Sequence, residues 1–294
     1  MTKYLPTAAA AATGVLVGAA IVATRFVIGQ SSPIMLALLR YAIGCCCLLP
    51  PLLLSARVRL ERRDLLPIGL LGIAQFGVVV TLLNYALQYI PSARAALIFA
   101  TLPLLTMLFA AALGHERVTW AKMLGVLLTI AGVGLALGER VVQPGSNSRI
   151  GELAVLASAA SAAACSVLYR PYLRKYPTLP ISAFAMLASV LFLGLLAAGE
   201  GFFSALPRFT AGGWLAVGFI GVNSGVGYYL WLWALNHSAA TNAAVFQALN
   251  PITATLLGAL LLAEPISALF LCGLVCVALG LWLAHRRAGE RVSG

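Results

Sequence analysis

LPLLTMLFAAALGHERVTWAKMLGVLLTIAGVGLA, residues 102–136, returns 148 residues later as NPITATLLGALLLAEPISALFLCGLVCVALGLWLA, residues 250–284. Aligned without a gap, Pro103 falls on Pro251, Glu116 on Glu264, Gly125 on Gly273, Gly132 on Gly280, and Leu135-Ala136 on Leu283-Ala284. Gly and Ala coincide easily in a chain rich in both. Pro is costly inside a helix and Glu is scarce here, so their common register carries the repeat. Working outward at the same offset, Gly77 meets Gly225, Ala86-Leu87 meets Ala234-Leu235, and Ala95-Ala96 meets Ala243-Ala244. The chain reads as two related halves, 1–142 and 149–294.

The 294 residues are 62% hydrophobic and only 9% charged. A soluble domain carries roughly 25% charged residues, so too little polar material is present to coat a surface facing water. Apolar runs bounded by charge, Pro or Gly fall near 7–28, 33–55, 66–88, 91–113, 118–138, 150–170, 180–199, 211–236, 238–262 and 265–285. Each is close to the ~20 residues that cross a bilayer as a helix. The expectation is an all-α integral membrane protein with ten transmembrane helices, five to each half. No cleavage site closes the first run after Lys3, so it reads as a retained helix.

The formal net charge of +11 has a place in this scheme. With the N-terminus inside, thirteen basic residues fall on inner segments: Lys3, Arg57, Arg59, Arg62, Arg63, Arg117, Lys122, Arg170, Arg174, Lys175, Arg286, Arg287 and Arg291. Only Arg140, Arg149 and Arg208 fall outside. That bias places both termini in the cytoplasm of a bacterial inner membrane. The basic residues form no long patch, so the charge serves topology, and nucleic acid is not an expected partner. The six cysteines lie in apolar runs without a Cys-x-x-Cys pair. Neither a metal site nor a redox motif is implied, and no cofactor is expected.

Five spans per half is an odd number, so the second half must cross in the opposite sense. Inverted halves related by an axis in the membrane plane can enclose a midplane site and open it to alternate sides, an arrangement common in secondary transporters. An enzyme or a receptor has no comparable need for it.

Pro33 with Arg40-Tyr41 resembles the P-x6-R-[FY] segment of the drug/metabolite transporter superfamily, EamA family. So does the doubled pattern Pro103, Glu116, Gly125, Gly132 and Pro251, Glu264, Gly273, Gly280. The resemblance covers nearly the whole chain. It implies ten helices in inverted five-helix repeats and export of amino acids or other metabolites, with the overall similarity strongest to exporters of aromatic and neutral amino acids.

Several residues are candidates for function. Pro103 and Pro251 interrupt helices at equivalent positions, as static kinks or hinges. Glu116 and Glu264 each stand where a helix opens, and a carboxylate there caps free amides at the positive end of the dipole. Arg40 and Arg94 lie toward the outer ends of their spans. Snorkelling, a bond to helix-end carbonyls, and a salt bridge to a substrate anion are all open to them. Unusual polarity collects in the third and eighth spans and the start of the ninth: Gln75, Asn84 and Tyr85, then Asn223, Tyr228, Trp231, Asn242 and Gln247. Gln75 falls on Asn223 at the repeat offset. Paired amides in opposed halves are what a central cavity would show, because buried amides need partners. An aromatic-and-amide lining suits a small neutral or zwitterionic solute with an apolar side chain. Phosphates want several Arg or Lys instead.

No carboxylate is expected at mid-bilayer, which argues against carboxylate-based proton coupling and for facilitated movement. The same absence counts against a cationic-drug exporter. A membrane-embedded enzyme would need convergent catalytic groups, and His115, His237 and His285 have no evident acid or nucleophile beside them. A sensor or scaffold would carry a soluble domain, for which no loop is long enough. The expected partners are a small-molecule substrate and the lipid bilayer, with no obligatory protein partner.

Overall fold

The computed structural model describes residues 5–55, 58, 60–114, 120–138, 148–201, 207–230 and 249–286. Among these residues every regular element is helical. In chain order the helical runs are α1 (Leu5–Val27), α2 (Pro33–Leu54), α3 (Arg62–Ala86), α4 (Ser92–Ala112), α5 (Trp120–Gly138), α6 (Ser148–Leu168), α7 (Thr178–Gly199), α8 (211–230), α9 (Leu249–Leu262) and α10 (Ala268–Arg286). Six described helices are long and apolar enough to span a membrane, and α5, α9 and α10 hold shorter apolar stretches. All ten runs match the expected spans to within a few residues wherever the chain is described. Hydrocarbon offers the backbone no hydrogen bonds, so continuous helix is what these sequences can form there. The starts carry suitable punctuation: Ser32 Oγ accepts from Met35 N (3.1 Å) ahead of Pro33, and Thr210 Oγ1 accepts from Gly213 N (3.0 Å) ahead of α8.

The packing obeys the repeat. Helices α5 and α10 pack along their lengths as a pair, and so do α2 with α7 and α4 with α9. The remaining principal contacts come in exchanged sets: α1 on α9 with α6 on α4, α2 on α8 with α7 on α3, and α1 on α8 with α6 on α3. Exchanging each helix with its counterpart five helices on maps this pattern onto itself.

The seam between α5 and α10 shows the symmetry at atomic level. A Cβ added at Gly132 would lie 2.6 Å from the Gly273 carbonyl, and one at Gly280 would lie 2.7 Å from the Gly125 carbonyl. Gly125 and Gly132 are the repeat counterparts of Gly273 and Gly280, so each half offers the other the same contact. The later glycine of one helix meets the earlier glycine of the other, which makes the two helices antiparallel. Counterpart helices running antiparallel are the signature of inverted repeats. The bare backbones bring the axes close, and dispersion across that contact replaces the hydrophobic drive that lipid cannot supply.

Polar contacts between helices include a set at each end of the bundle. At one end Arg25 donates to the Leu87 carbonyl, Gln30 Oε1 accepts from Thr210 N (2.9 Å), Ser32 donates to Glu200, and Arg94 meets Glu152 (3.0 Å). At the other end Lys175 Nζ meets Glu61 (2.6 Å) and Asp64 (2.7 Å), and Tyr176 donates to Asp64 (2.7 Å). Each contact joins segments that alternating spans would bring to one side.

Candidate functional site

Between the two ends, α3 and α8 each widen into a π-turn, Ile73–Val78 and Asn223–Gly227. The segments overlap at the repeat offset, with Gln75 and Asn223 in register. In the first, Val79 N donates to the Ala74 carbonyl, five residues back. A π-turn inserts one residue into a helix and displaces the side chains beside it, and such turns occur frequently at functional sites. Close packing supports both. A Cβ at Gly225 would lie 2.6 Å from the Gly44 carbonyl of α2, and one at Gly77 would lie 3.2 Å from Ser189 Oγ of α7. Beyond the first turn, Ser158 of α6 donates to the Val79 carbonyl (2.7 Å).

The side chains around the turns form a connected cluster. Arg40 Nε donates to Ser224 Oγ (2.6 Å), which donates to the Ile220 carbonyl (2.8 Å). The Arg40 guanidinium stands 5.6 Å from the Tyr41 ring centroid. Tyr41 meets Phe76 edge-on at 5.3 Å, and Phe76 meets Tyr228 edge-on at 5.8 Å. Ser182 of α7 donates to the Tyr228 hydroxyl (3.1 Å). Aromatic residues from α2, α3 and α8 thus touch in series. Arg40 is the cation in contact with them, and the described carboxylates named above stand at the two ends of the bundle.

Helices α3 and α8 also hold unused acceptors. Gln75 Oε1, Asn84 Oδ1 and Asn223 Oδ1 are buried without a hydrogen-bond partner among the described residues. Asn223 Nδ2 donates to the Leu16 carbonyl (3.2 Å) and Asn84 Nδ2 to the Pro33 carbonyl (3.0 Å). Each of these two amides is fixed by its nitrogen and leaves its oxygen free. A buried acceptor without a donor costs on the order of 1–3 kcal/mol, so three in one bundle call for an occupant that donates. Ser189, Thr81 and Tyr169 also carry buried oxygens unpaired among the described residues.

Several expected site residues stand elsewhere. Tyr85 is exposed at the end of α3 and accepts from Tyr89 (3.3 Å), so it belongs to the rim. Arg94 is engaged by Glu152 of α6 and links two helices, where a substrate bridge was one of its open roles. Glu264 does cap free amides, but those of α4: Ser92 N (2.8 Å), Ser92 Oγ (2.7 Å) and Ala93 N (3.3 Å). Its own helix α10 is capped by Ser267, which accepts from Phe270 N (3.0 Å). The correction has a simple origin, because the antiparallel α4–α9 pair brings the end of α9 to the start of α4. Pro103 follows a break at residues 100–101, where Thr101 Oγ1 donates to the Ile98 carbonyl (2.7 Å). Pro251 lies near the described start of α9, and its carbonyl accepts from Thr255 (2.7 Å). Glu116, Trp231, Asn242 and Gln247 lie outside the described residues, as does the expected break at 236–238. Sequence reasoning passed over Phe76 and Ser182 as site residues. Phe76, between the paired Gln75 and Gly77, could have been found from that position.

Outside the spans, hydrogen bonding to the Lys175 ammonium holds the Glu61 carboxyl below the usual carboxylate range. No group of His, Cys, Asp and Glu among the described residues could hold a metal ion.

A helical bundle of membrane-spanning repeats with a polar, aromatic centre defines a polytopic membrane protein. The sequence pattern of the EamA-like transporter family matches residues 6–138 and again 149–286, and the chain belongs to that family. It is 27% identical over 277 residues to an uncharacterized transporter of Archaeoglobus fulgidus, covering 92% of this chain and 95% of that one. A probable terminal-alkyne amino-acid exporter of Streptantibioticus cattleyicolor is 28% identical over 232 residues, covering 78% and 76%. A crystal structure at 23% identity shares the fold with a TM-score of 0.70, covering 97% of this chain and 98% of its own.

Proposed function

We propose that this chain carries small zwitterionic metabolites, aromatic and other neutral amino acids foremost, by alternating access through the centre of the bundle. The two halves, 1–142 and 149–294, move against each other across α3 and α8, in a bacterial inner membrane with both termini cytoplasmic. The observation that carries this reading is the pair of π-turns at equivalent positions, each presenting an amide whose oxygen lacks a donor. An ammonium group supplies donors to Gln75 and Asn223. In this reading the N–H groups of Arg40 beyond Nε meet the substrate carboxylate, and Tyr41, Phe76 and Tyr228 meet its apolar side chain. The name of the Streptantibioticus relative is consistent with an amino-acid substrate. No described carboxylate reaches the cluster, so movement follows the substrate gradient without an obligatory ion.

The test is uptake of radiolabelled phenylalanine or tryptophan into proteoliposomes with no ion gradient imposed. Saturable uptake that empty liposomes lack is the expected result. Uptake seen only under a proton gradient would overturn the uncoupled mechanism. No uptake under either condition, in protein whose fold is verified, would overturn the substrate class.

A further inference from the structure

A cavity lies away from the central cluster. It measures about 340 Å³ and is lined by Ile98 and Thr101 of α4, Val133 of α5, and Arg149, Glu152, Leu153 and Leu156 of α6. Its inner wall is buried: Ile98 is 3% exposed and Thr101 8%. Its α6 side is open, with Leu153 65% and Leu156 44% exposed, and in a spanning helix that surface faces lipid. Charge is confined to one end. Glu152 is already held by Arg94, while Arg149 has no ion-pair partner among the described residues. Arg94, beside the lining, offsets Glu152 and leaves Arg149 as the surplus cation among the described residues.

We propose that this crevice binds one acyl chain of an anionic phospholipid, with the lipid phosphate on Arg149. Length decides between a lipid and a small free solute. From Ser148 to Leu156 the helix rises eight residues, about 12 Å at 1.5 Å per residue. One leaflet of a bilayer core ~30 Å thick is about 15 Å deep. The crevice therefore runs from the interface most of the way to the midplane, which is the course of a lipid tail, whereas a free amino acid would fill only its mouth. The apolar lining matches a tail and the surplus cation matches a phosphate. The bilayer supplies such a ligand directly through the open α6 side. The recess also flanks the break in α4 at residues 100–101. A tail seated there packs against the one stretch of α4 where the helix does not hold itself straight.

The experiment is native mass spectrometry of the full-length purified protein in mild detergent, titrated with phosphatidylglycerol and, separately, phosphatidylcholine, inorganic phosphate and phenylalanine. One tightly retained phosphatidylglycerol per chain is expected, with phosphatidylcholine weaker. Arg149→Gln, at an exposed position, is expected to weaken it about fivefold, the worth of one basic side chain at a lipid surface. Leu156→Trp fills the crevice and abolishes retention. Val133→Phe does the same from the opposite wall and stands in if the first variant fails to fold. The proposal is overturned if wild type retains no lipid, if the filled variants retain it like wild type, or if phosphate alone displaces it. It is equally overturned if phenylalanine displaces the lipid in wild type, for the crevice would then belong to the transport path.

Discussion

The α5–α10 pair and the α3–α8 pair are both counterparts under the same two-fold, yet they are built in opposite ways. The first is closed by reciprocal glycines, each set against the partner's backbone carbonyl, along apolar helices. The second is interrupted by π-turns and flanked by amides with unpaired oxygens. Symmetry alone therefore does not mark a transport site, since both pairs have it. Polar groups left without partners and irregular backbone do so, because in a bilayer both are costly and persist only where something uses them. Under the mechanism proposed above, the α5–α10 seam is the fixed part and the α3–α8 region the working part.

The seam gives the largest expected effect. Gly280→Leu places its Cβ against Thr129 and 2.7 Å from the Gly125 carbonyl, with backbone that cannot yield. Loss of folded protein is expected, at a cost of about 3 kcal/mol or more. Gly134→Leu, on the partner helix α5 but with nothing within 4 Å of the added Cβ, should melt like wild type. Equal melting temperatures for both variants in detergent would remove the basis for calling the seam rigid.

The working region should respond the other way. Gln75→Leu removes an acceptor that the described protein leaves unpaired, so thermal stability should hold or rise, while Asn223→Leu also gives up the Nδ2 bond to the Leu16 carbonyl and should lose no more than about 1 kcal/mol. Transport should fall on the order of 10- to 100-fold, the worth of a hydrogen bond to a charged group. A fall in stability that parallels the fall in transport would show that these amides tie helices together and bind nothing.

An intermediate case sharpens the comparison. Glu264 ties α9–α10 to the start of α4 by accepting three hydrogen bonds. Glu264→Gln should cost about 1–2 kcal/mol, read as a lower melting temperature, because one carboxylate serves as the cap of another half's helix. Ser92→Ala should cost less, since the two backbone amides keep their acceptor. A larger loss for Ser92→Ala would show that the hydroxyl, and not the cap, holds the joint.

Much of this was legible in the sequence for a physical reason. Pro103/Pro251, Glu116/Glu264 and the Gly-x6-Gly pairs are residues a membrane helix tolerates only at special places, so their recurrence fixed the register, the halves and the inversion. Span positions followed from hydrocarbon thickness. The site was legible only in part. Pairing at the repeat offset singled out Gln75 and Asn223, which lie in the two π-turns with unpaired oxygens. The π-turns were invisible, since one inserted residue hardly alters an all-round apolar pattern. The same uniformity hid facing, so the exposure of Tyr85 at the end of α3 and the bond from Arg94, read as near an outer end, to Glu152 of α6 were not legible. Glu264 was recognised as a cap, but its recipient depends on which helix lies beside it, and that is a tertiary fact.

The smallest expected effect concerns the end of α3. Its first turn is clamped to the α6–α7 link by Lys175 on Glu61 and Asp64, with Arg63 also on Glu61 (2.6 Å). The α5–α10 seam has no ionic clamp among its described residues. Glu61 titrates below its ordinary value of 4.5 because the Lys175 ammonium bonds to its ionised form. A carboxyl depressed on folding adds stability that is fully present above its unfolded value and is lost as pH falls through its folded one. The charges are exposed, so the effect is small and salt weakens it. Melting temperature measured from pH 6 down to pH 3 should therefore fall more steeply for wild type than for Lys175→Met. High salt should bring the two profiles together. Gly280→Ala, to the extent that it folds, should lower the melting temperature while keeping the wild-type slope, because its damage falls on Thr129 and the Gly125 carbonyl, which carry no charge. If Lys175→Met instead keeps that slope, the pH-sensitive joint lies elsewhere, and the contrast between an ionic clamp on α3 and an uncharged seam on α5 loses its force.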